Sequence, residues 1–455
     1  MRPLRDRLRE ASSLPPLRDD DAAAGPEPGL EPLARLERRL LGEAAEGVPL
    51  RQRLERLVRL AGGRLRHERV RAPAPRPVTL EELIPHAREE SGPRGRFVLV
   101  EEDLGLDTYH GRVSLSRLRT LSPDTLAVLA GDATAGAYAS FAAESVAFLD
   151  TETTGLSGGA GTAAFMVGVA FIRGERLVLR QYVMRDYDEE PAMLAAVAAD
   201  LAPCTHLVTF NGRGFDVPLL DARYRLDRAR LPVGEVVHLD LLPPVRRLWG
   251  QRFDSCRLQA LEAALLGLHR QEDVPGEAIP GIYFDYLRSR NACRLAAVLQ
   301  HNRLDVISLV ALLAFCCRWI EEGTSGDPRE DYGLARVLER AEVYEKSEAY
   351  FRRVVEEGAG PLRLDSLRRL AGRAKRARDH EAALPLWQQA AEEGDWWALR
   401  ELAIHHEHRT RDLPAAQRAA EEALRRAEGR VSARLRDDLV KRRERVRRKL
   451  KIGQD

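Results

Sequence analysis

The feature that most constrains how this 455-residue chain folds is a short apolar run that ends in carboxylates. Residues 146–150 (VAFLD) are typical of a buried strand, and Asp150 and Glu152 stand two residues apart at its end. Side chains two apart on a strand point to the same side of a sheet. Buried like charges repel, and a divalent cation offsets that repulsion. Carboxylate oxygens suit Mg²⁺ or Mn²⁺, although a single Asp-x-Glu pair is also common by chance.

A second acidic segment follows another apolar strand. Residues 206–211 (HLVTFN) are typical of a strand, and Asn211 and Gly212 predict a turn after it. Asp216 then lies near the start of a helix. The alternative interpretation is an ordinary strand-to-helix connection in which the Asp216 side chain caps the helix.

The third acidic segment is residues 301–305 (HNRLD), which comes immediately before an apolar helix at residues 306–313. If the segment is helical, His301 and Asp305 share one face of the helix because they are four residues apart. Asp305 is then a candidate metal ligand, and His301 is a candidate base that takes a proton from water. The alternative is an ion pair on a helix face.

Taken together, the three segments place four carboxylates and a histidine at strand ends and helix starts of one α/β unit. Two divalent ions, Mg²⁺ or Mn²⁺, held about 3.5–4 Å apart by such carboxylates activate water and stabilise the leaving oxygen of a phosphodiester. The combination therefore predicts phosphodiester hydrolysis, which none of the segments predicts alone.

The same segments resemble the motifs of a known family. Residues 150–155 (DTETTG) match the first motif of the DEDD 3′–5′ exonucleases of the ribonuclease H-like superfamily, and residues 210–220 (FNGRGFDVPLL) resemble the second. HNRLD stands in the place of the third motif. The resemblance covers about residues 141–322 and is strongest to the YprB-like branch. It implies a ribonuclease H-like sheet and metal-dependent 3′–5′ exonuclease activity on DNA or RNA.

The resemblance also assigns roles to residues. His301 departs from the family pattern, because members with a histidine place it five residues before the last aspartate and members with a tyrosine place that residue four before it. Arg213 is a candidate phosphate contact. The implied metal ligands are Asp150, Glu152, Asp216 and Asp305, the implied base is His301, and the implied nucleotide contacts are Thr153, Gly155, Leu156, Asn211 and Phe215.

The order of elements predicts an α/β domain followed by an all-α one. Three strands in a meander and then alternating helices and strands indicate a mixed sheet flanked by helices. Small and large apolar residues after position 331 predict paired helices that resemble tetratricopeptide repeats (TPR-like), with an irregular bundle as the alternative. The predicted strands are residues 96–101, 146–150, 164–172, 177–183, 206–211 and 236–241, and the predicted helices are residues 191–201, 258–266, 293–298, 306–321, 334–356, 364–377, 382–392, 396–406 and 415–427.

These elements divide the chain into four predicted regions. Residues 1–92 are rich in Arg, Pro and Ala and are expected to be partly helical and partly disordered, and residues 93–140 lead into the α/β domain. Residues 141–322 form the predicted α/β domain. Residues 331–455 form the predicted helical domain with a basic C-terminus.

Charge is distributed unevenly along a nearly neutral chain of 72 basic and 70 acidic residues. Residues 51–76 contain nine Arg against two Glu, and residues 430–451 contain eleven Arg or Lys against three acids. The α/β domain is slightly acidic. Basic flanks suit a polyanion and an acidic middle suits cations, so we expect nucleic acid, with a single-stranded 3′ end, as substrate. The alternative is that the basic stretches are solvated helix faces.

The sequence excludes several classes of protein. No run approaches 18 apolar residues, so a membrane span is not expected, and the first residues lack the apolar stretch of a signal peptide. Five cysteines without a CxxC spacing indicate free thiols in the cytoplasm. Two alternatives to an active exonuclease are a catalytically weak or inactive nucleic-acid-binding protein and a scaffold whose helical repeats bind a protein partner.

Overall fold

A computed structural model describes residues 76–131, 135–155, 161–232, 236–324, 326–429 and 431–452. The chain divides after Val78, and the elements given below belong to the unit Thr79–Asp455. Most of the predicted N-terminal region, with nearly all of its basic stretch, lies outside the described residues, as does Leu156. The four-region division of the chain stays a prediction.

The described strands form one large mixed sheet and a small hairpin. The order in the large sheet is β1-β2-β7-β6-β5-β8-β9, and β3 pairs with β4 alone. The strands are β1 Ala87–Gly92, β2 Gly95–Gly105, β3 Tyr109–His110, β4 Val113–Ser114, β5 Val146–Thr153, β6 Ala164–Arg173, β7 Arg176–Val183, β8 His206–Thr209 and β9 Val237–Asp240.

The pairing directions confirm the predicted mixed sheet. β5, β6 and β7 form an antiparallel meander, while β8 runs parallel to β5 and β9 runs parallel to β8. The apolar runs make buried strands, and β5 and β6 are buried along most of their length. Strand β1 is not among the predicted strands, because its residues (AREESG) are polar and it lies at the edge of the sheet.

The described helices cover the sheet and then continue as an all-α region. None of them is long and apolar enough to cross a membrane. They are α1 Leu80–Leu83, α2 Pro123–Ala130, α3 Glu190–Leu201, α4 Asp216–Leu226, α5 Leu242–Trp249, α6 Leu258–Leu261, α7 Ile279–Ser289, α8 Cys293–Glu322, α9 Pro328–Arg340, α10 Tyr344–Glu357, α11 Gly360–Arg376, α12 His380–Glu392, α13 Trp396–His405, α14 Leu413–Ala427 and α15 Ala433–Ile452.

The central helix α8 is longer than predicted. The sequence predicts two helices, at residues 293–298 and 306–321, but one continuous helix spans 30 residues. The polar segment HNRLD looked like an interruption because its side chains break the apolar pattern. Those side chains face the sheet edge, while Val306, Leu309 and Leu313 join the main apolar core and are fully buried.

The helices after α8 pack in consecutive pairs. The single helix predicted at residues 334–356 is wrong, because the chain turns between α9 and α10, where Glu342 adopts a left-handed backbone with φ 59°. Asp379, Asp395 and Asp412 start α12, α13 and α14 by accepting hydrogen bonds from backbone N–H groups of the first turn. The all-α region is therefore confirmed, and its assignment to the tetratricopeptide type stays a prediction.

The basic C-terminal stretch forms α15, and part of its charge is neutralised inside the protein. Arg442, Arg445 and Lys449 each donate a hydrogen bond to Glu407, whose side chain is fully buried. Burial alone would raise the pKa of Glu407, but the hydrogen bonds from Arg445 and Lys449 outweigh it and lower the pKa to about 2. One buried carboxylate thus fixes three cations of the predicted basic arm.

Candidate active site

The three acidic segments converge at one edge of the sheet. Asp150 and Glu152 lie at the end of β5, and Asp216 is the first residue of α4 after β8. Because β5 and β8 are parallel, their carboxyl ends meet at the same edge. Helix α8 packs on β5 and brings His301 and Asp305 to this edge.

Electrostatic coupling indicates that the four carboxylates are close neighbours. Burial raises the pKa of Asp150 well above its usual value, and the charge of Asp305 raises it further. Glu152 and Asp216 act on the Asp150 pKa in the same direction. Burial likewise raises the pKa of Glu152, followed by the charges of Asp305 and Asp216. The cluster therefore carries more negative charge than its surroundings neutralise.

Asp216 is buried at the start of α4, where the positive end of the helix faces it. The Thr151 hydroxyl, which lies between the two β5 carboxylates in sequence, donates a hydrogen bond to Asp216. Burial raises the pKa of Asp216 to about 6, although the hydrogen bond from Thr151 opposes this shift. The second acidic segment is thereby tied directly to the first.

Arg270 is the main cation of the cluster, and its side chain is 5% exposed. Its guanidinium donates to Asp305 and to both carboxylate oxygens of Glu262, and a fourth hydrogen bond of 3.0 Å reaches Asp273. Burial raises the pKa of Asp305, and the Arg270 charge opposes this effect. The chain thus supplies one internal positive charge to its own acidic cluster.

His301 is confirmed to share a helix face with Asp305. Its Nε2 lies 3.6 Å from Asp305 Oδ2, and its Nδ1 makes a hydrogen bond of 2.8 Å with Asp273 Oδ1. Burial favours the neutral form of Asp273, but the hydrogen bond from His301 and the charge of Arg270 outweigh it and lower the Asp273 pKa. An ionised Asp273 accepts a hydrogen bond from Nδ1–H, and in that tautomer the Nε2 atom carries no proton and can accept one.

A buried amide chain holds Asp150. The Asn302 side chain is fully buried and donates a hydrogen bond of 2.8 Å to Asp150 Oδ2. Gln181 of β7 donates to Asn302 Oδ1 at 2.9 Å and so fixes the orientation of the amide. Gly168 lies opposite Asp150 on β6, and a Cβ atom there would lie 2.3 Å from Asn302 Oδ1. Only glycine at position 168 leaves this amide in place.

The predicted nucleotide contacts lie on two loops beside the carboxylates. Thr153 ends β5, past a bulge at Glu152, and its hydroxyl donates to the Gly155 carbonyl oxygen at 2.8 Å. Asn211 is exposed with a left-handed backbone (φ 66°), and Phe215 immediately precedes α4. Their assignment as nucleotide contacts stays a prediction.

Asp240 fixes the loop that carries Asn211. Its carboxylate accepts the backbone N–H groups of Asn211 at 2.8 Å, Arg213 at 3.1 Å and Leu242 at 3.0 Å. The Arg213 guanidinium donates to the His238 carbonyl oxygen, and its assignment as a phosphate contact stays a prediction. Asp240 therefore joins the loop after β8 to the start of α5.

The donor chemistry fits a divalent cation, because four hard carboxylates repel one another at one sheet edge. In the described part of the chain, however, no group of three or more His, Cys, Asp or Glu side chains is arranged to hold a metal ion. Arg270 binds Asp305, Asn302 binds Asp150 and Thr151 binds Asp216, so three carboxylates face protein donors. The metal-ligand assignment stays a prediction.

Sequence reasoning missed several residues that shape this site. Arg270 and Asp273 lie in the segment between α6 and α7, which carries no motif, and Gln181 lies in an ordinary strand. Asn302 was visible inside HNRLD, because a polar amide next to the histidine on an otherwise apolar helix is a signal of a buried hydrogen bond. Arg270 and Asp273 had no such local signal.

Comparison with known proteins finds a known superfamily domain over the residues of this site. A model of the RNase_H superfamily (RNase_H_2) matches residues 147–316, a range that includes Asp150, Asp216 and Asp305. The uncharacterized protein YprB of Bacillus subtilis (strain 168) is 33% identical over 287 residues, which cover 61% of this chain and 68% of YprB.

The solved structures that this chain matches include the family B DNA polymerase from the hyperthermophilic archaeon Pyrobaculum calidifontis. It superposes with a TM-score of 0.32 and 15% sequence identity, over 47% of this chain and 29% of the polymerase chain. The chain therefore spans less than a third of the length of that polymerase.

Proposed function

The chain belongs to the YprB family of ribonuclease H-like proteins, and on that premise we propose that it is a metal-dependent 3′–5′ exonuclease that hydrolyses phosphodiester bonds of DNA or RNA. The observation that carries the proposal is the electrostatic cluster of four carboxylates at one sheet edge. Such excess negative charge suits a site that binds divalent cations.

In this proposal the four carboxylates Asp150, Glu152, Asp216 and Asp305 hold two Mg²⁺ or Mn²⁺ ions. When bound, the ions supply Lewis acidity to the phosphate and lower the pKa of water. The protein residues position these ligands: Asn302 orients Asp150 and Thr151 orients Asp216.

His301 is the proposed general base. Asp273 accepts the hydrogen bond from its Nδ1, which leaves Nε2 directed towards Asp305 and the acidic cluster. A neutral imidazole in this orientation accepts a proton from an attacking water. Thr153, Gly155, Leu156, Asn211 and Phe215 are the proposed contacts to the terminal nucleotides.

The test is hydrolysis of end-labelled oligonucleotides with Mg²⁺ or Mn²⁺, comparing the wild type with Asp150→Asn. We expect the substitution to reduce the rate by about a thousandfold or more, because it removes a charged ligand worth several kcal/mol in the transition state. Asp103→Asn, which changes an exposed aspartate of β2, is the matched control and is expected to retain full activity.

The choice of substrates determines the direction of hydrolysis along the strand and shows whether DNA or RNA is cleaved. Oligonucleotides labelled at the 5′ end release a ladder of shortened products if nucleotides are removed from the 3′ end. Single-stranded and duplex DNA and RNA are compared in parallel. Absence of hydrolysis on every substrate with both metals contradicts the proposal.

A second candidate function is nucleic-acid binding without hydrolysis. The observation in its favour is that the Arg270 guanidinium donates a hydrogen bond to Asp305, a residue expected to bind a metal ion. Metal-independent binding with no turnover is the result that supports it.

The all-α region after α8 is a candidate surface for a protein partner. The five free thiols fit the reducing cytoplasm, in which we propose that the protein acts.

A further inference from the structure

A groove of about 800 Å³ opens beside the proposed nucleotide contacts. Phe210 and Asn211 form one wall, and the end of α5 with the segment leading to α6 forms the other. This second wall carries two arginines and a phenylalanine, Arg246, Arg257 and Phe253. Asn211, which lines the groove, lies five residues before the candidate ligand Asp216 in the sequence.

The two arginines of the groove differ from most arginines near the site. Arg270, Arg223 and Arg213 are held by carboxylates or a carbonyl oxygen. By contrast, the exposed guanidinium groups of Arg246 and Arg257 have no hydrogen bond or ion pair with any described residue. Unpaired cations that line a groove are free to bind phosphate. One acid, Asp254, also lines the groove, so a net positive charge remains.

The groove is preformed. Asp240 accepts the backbone N–H groups of Asn211 and Leu242, which both line the groove, and so holds the loop after β8 to the start of α5. Arg252 does not line the groove, but its guanidinium lies 5.4 Å from the centre of the Phe253 ring and is paired with Glu330. Phe210 and Phe253 are half-buried against the main core. Aromatic rings held in this way suit stacking with bases.

We propose that this groove binds the single-stranded nucleic acid segment adjacent to the nucleotide that is removed. The inference rests on the proposed function, because the polarity of the bound strand follows from cleavage at the 3′ end. The segment in the groove is the part of the strand that leads away from that end. A volume of about 800 Å³ is that of a small-ligand site. Bases of a single strand reach its aromatic walls, whereas a duplex, whose major groove alone is about 12 Å wide, keeps its bases stacked and does not enter.

The test measures binding and hydrolysis separately. Fluorescence anisotropy with a labelled 12-nucleotide single strand, in EDTA so that nothing is cleaved, compares the wild type with Arg246→Gln/Arg257→Gln. The matched control is Arg117→Gln/Arg228→Gln, which removes the same charge from two exposed arginines outside the groove. Equal thermal midpoints of all three proteins establish that they are folded.

We expect the groove variant to bind the 12-mer about five- to tenfold more weakly, as two lost surface ion pairs predict. The slope of log affinity against log salt concentration is expected to fall by about 1.4, because each single-strand phosphate contact contributes about 0.7. The control pair is expected to change neither quantity. In the hydrolysis assay, KM is expected to rise for the 12-mer and not for a dinucleotide.

Unchanged binding in the groove variant, or an equal loss in both variants, overturns the proposal. Equal weakening for a blunt duplex and for the single strand also overturns it. The outcomes are separable from the proposed function. A wild type that hydrolyses oligonucleotides independently of Arg246 and Arg257 refutes the groove and keeps the exonuclease. A wild type that binds through these arginines and never hydrolyses refutes the exonuclease and keeps the groove.

Discussion

A hydrogen bond of 2.8 Å joins His301 Nδ1 to Asp273 Oδ1 across 28 residues of sequence. Arg270 also binds Asp273, so the carboxylate is fixed from two sides. The bond sets which ring nitrogen of the histidine carries the proton. It connects a segment without a recognisable motif to the residue whose spacing departs from the family pattern.

This bond predicts the behaviour of Asp273→Asn. The neutral side-chain amide of this variant no longer stabilises a positively charged His301 imidazole. Its NH₂ group can also donate a hydrogen bond to Nδ1, which places the proton of the neutral ring on Nε2. We expect kcat for oligonucleotide hydrolysis to fall about 10- to 100-fold with little change in KM, as for other groups that orient a catalytic residue. Glu272→Gln, an exposed neighbour, is the control. Equal rates for both variants contradict the role of Asp273.

Asn302→Ala is expected to destabilise the protein. It leaves Asp150 without its amide donor and removes one of the two acceptors of the buried Gln181 amide. Loss of buried hydrogen-bond partners costs about 1–3 kcal/mol. Urea denaturation of the metal-free protein measures the free energy of unfolding, with Gln300→Ala, an exposed residue of the same helix, as the control. An unchanged midpoint in Asn302→Ala is the contrary outcome.

His110 predicts a pH dependence of stability. It is buried with its Nε2 2.7 Å from the Ser308 hydroxyl, and burial lowers its pKa from 6.5 to about 4. Between these values the unfolded chain binds a proton that the folded protein does not, so stability falls as pH falls from about 6.5 to about 4. The loss is at most about 3 kcal/mol.

The variant His110→Gln isolates this contribution, because glutamine keeps a polar partner for Ser308 and does not titrate in this range. We expect the wild type to lose more stability than His110→Gln when urea denaturation at pH 6.5 is compared with that at pH 4.5. Their near-ultraviolet circular dichroism spectra at pH 8 are expected to coincide. An identical loss in both proteins means that His110 is not the titrating group.

The ion pairs of Glu407 attach α15 to the rest of the helical region. Glu407→Gln leaves Arg442, Arg445 and Lys449 without their shared carboxylate. Because these cations are partly exposed and water replaces the lost partner, we expect a cost of about 1–3 kcal/mol, below that of a fully buried pair. Hydrogen exchange of the α15 amides is expected to accelerate. Glu444→Gln, whose carboxylate is paired with its neighbour Arg443, is the control expected to leave exchange unchanged.

Elements with a strong local pattern could be predicted from the sequence. The apolar runs of β5, β6 and β7 gave strands with bounds close to those observed, because a buried strand needs a continuous apolar segment. The convergence of Asp150 and Asp216 could also be anticipated, because carboxyl ends of parallel strands meet at one edge. Asp305 reaches the same edge because α8 packs on β5. Each acidic motif is visible in a short stretch of sequence, and the geometry of the sheet brings the motifs after β5 and β8 together.

Features that depend on distant partners could not be predicted. Strand β1 forms because β2 offers an edge, and its own residues are polar. Arg270 reaches Asp305 across 35 residues, and no spacing rule links the two. The continuity of α8 through HNRLD depends on Asn302 finding buried partners on the sheet, which a single-segment pattern does not contain.

Gly168 restricts how sequences related to this one can vary. Any side chain at position 168 would displace Asn302, and a smaller residue at position 302 would leave Gln181 short of an acceptor. These three positions, on two strands and a helix, are therefore a single unit in evolution. We expect relatives to retain all three residues or to replace them jointly. Co-variation at positions 168, 181 and 302 would then mark family members that hold the carboxylate equivalent to Asp150 in another way.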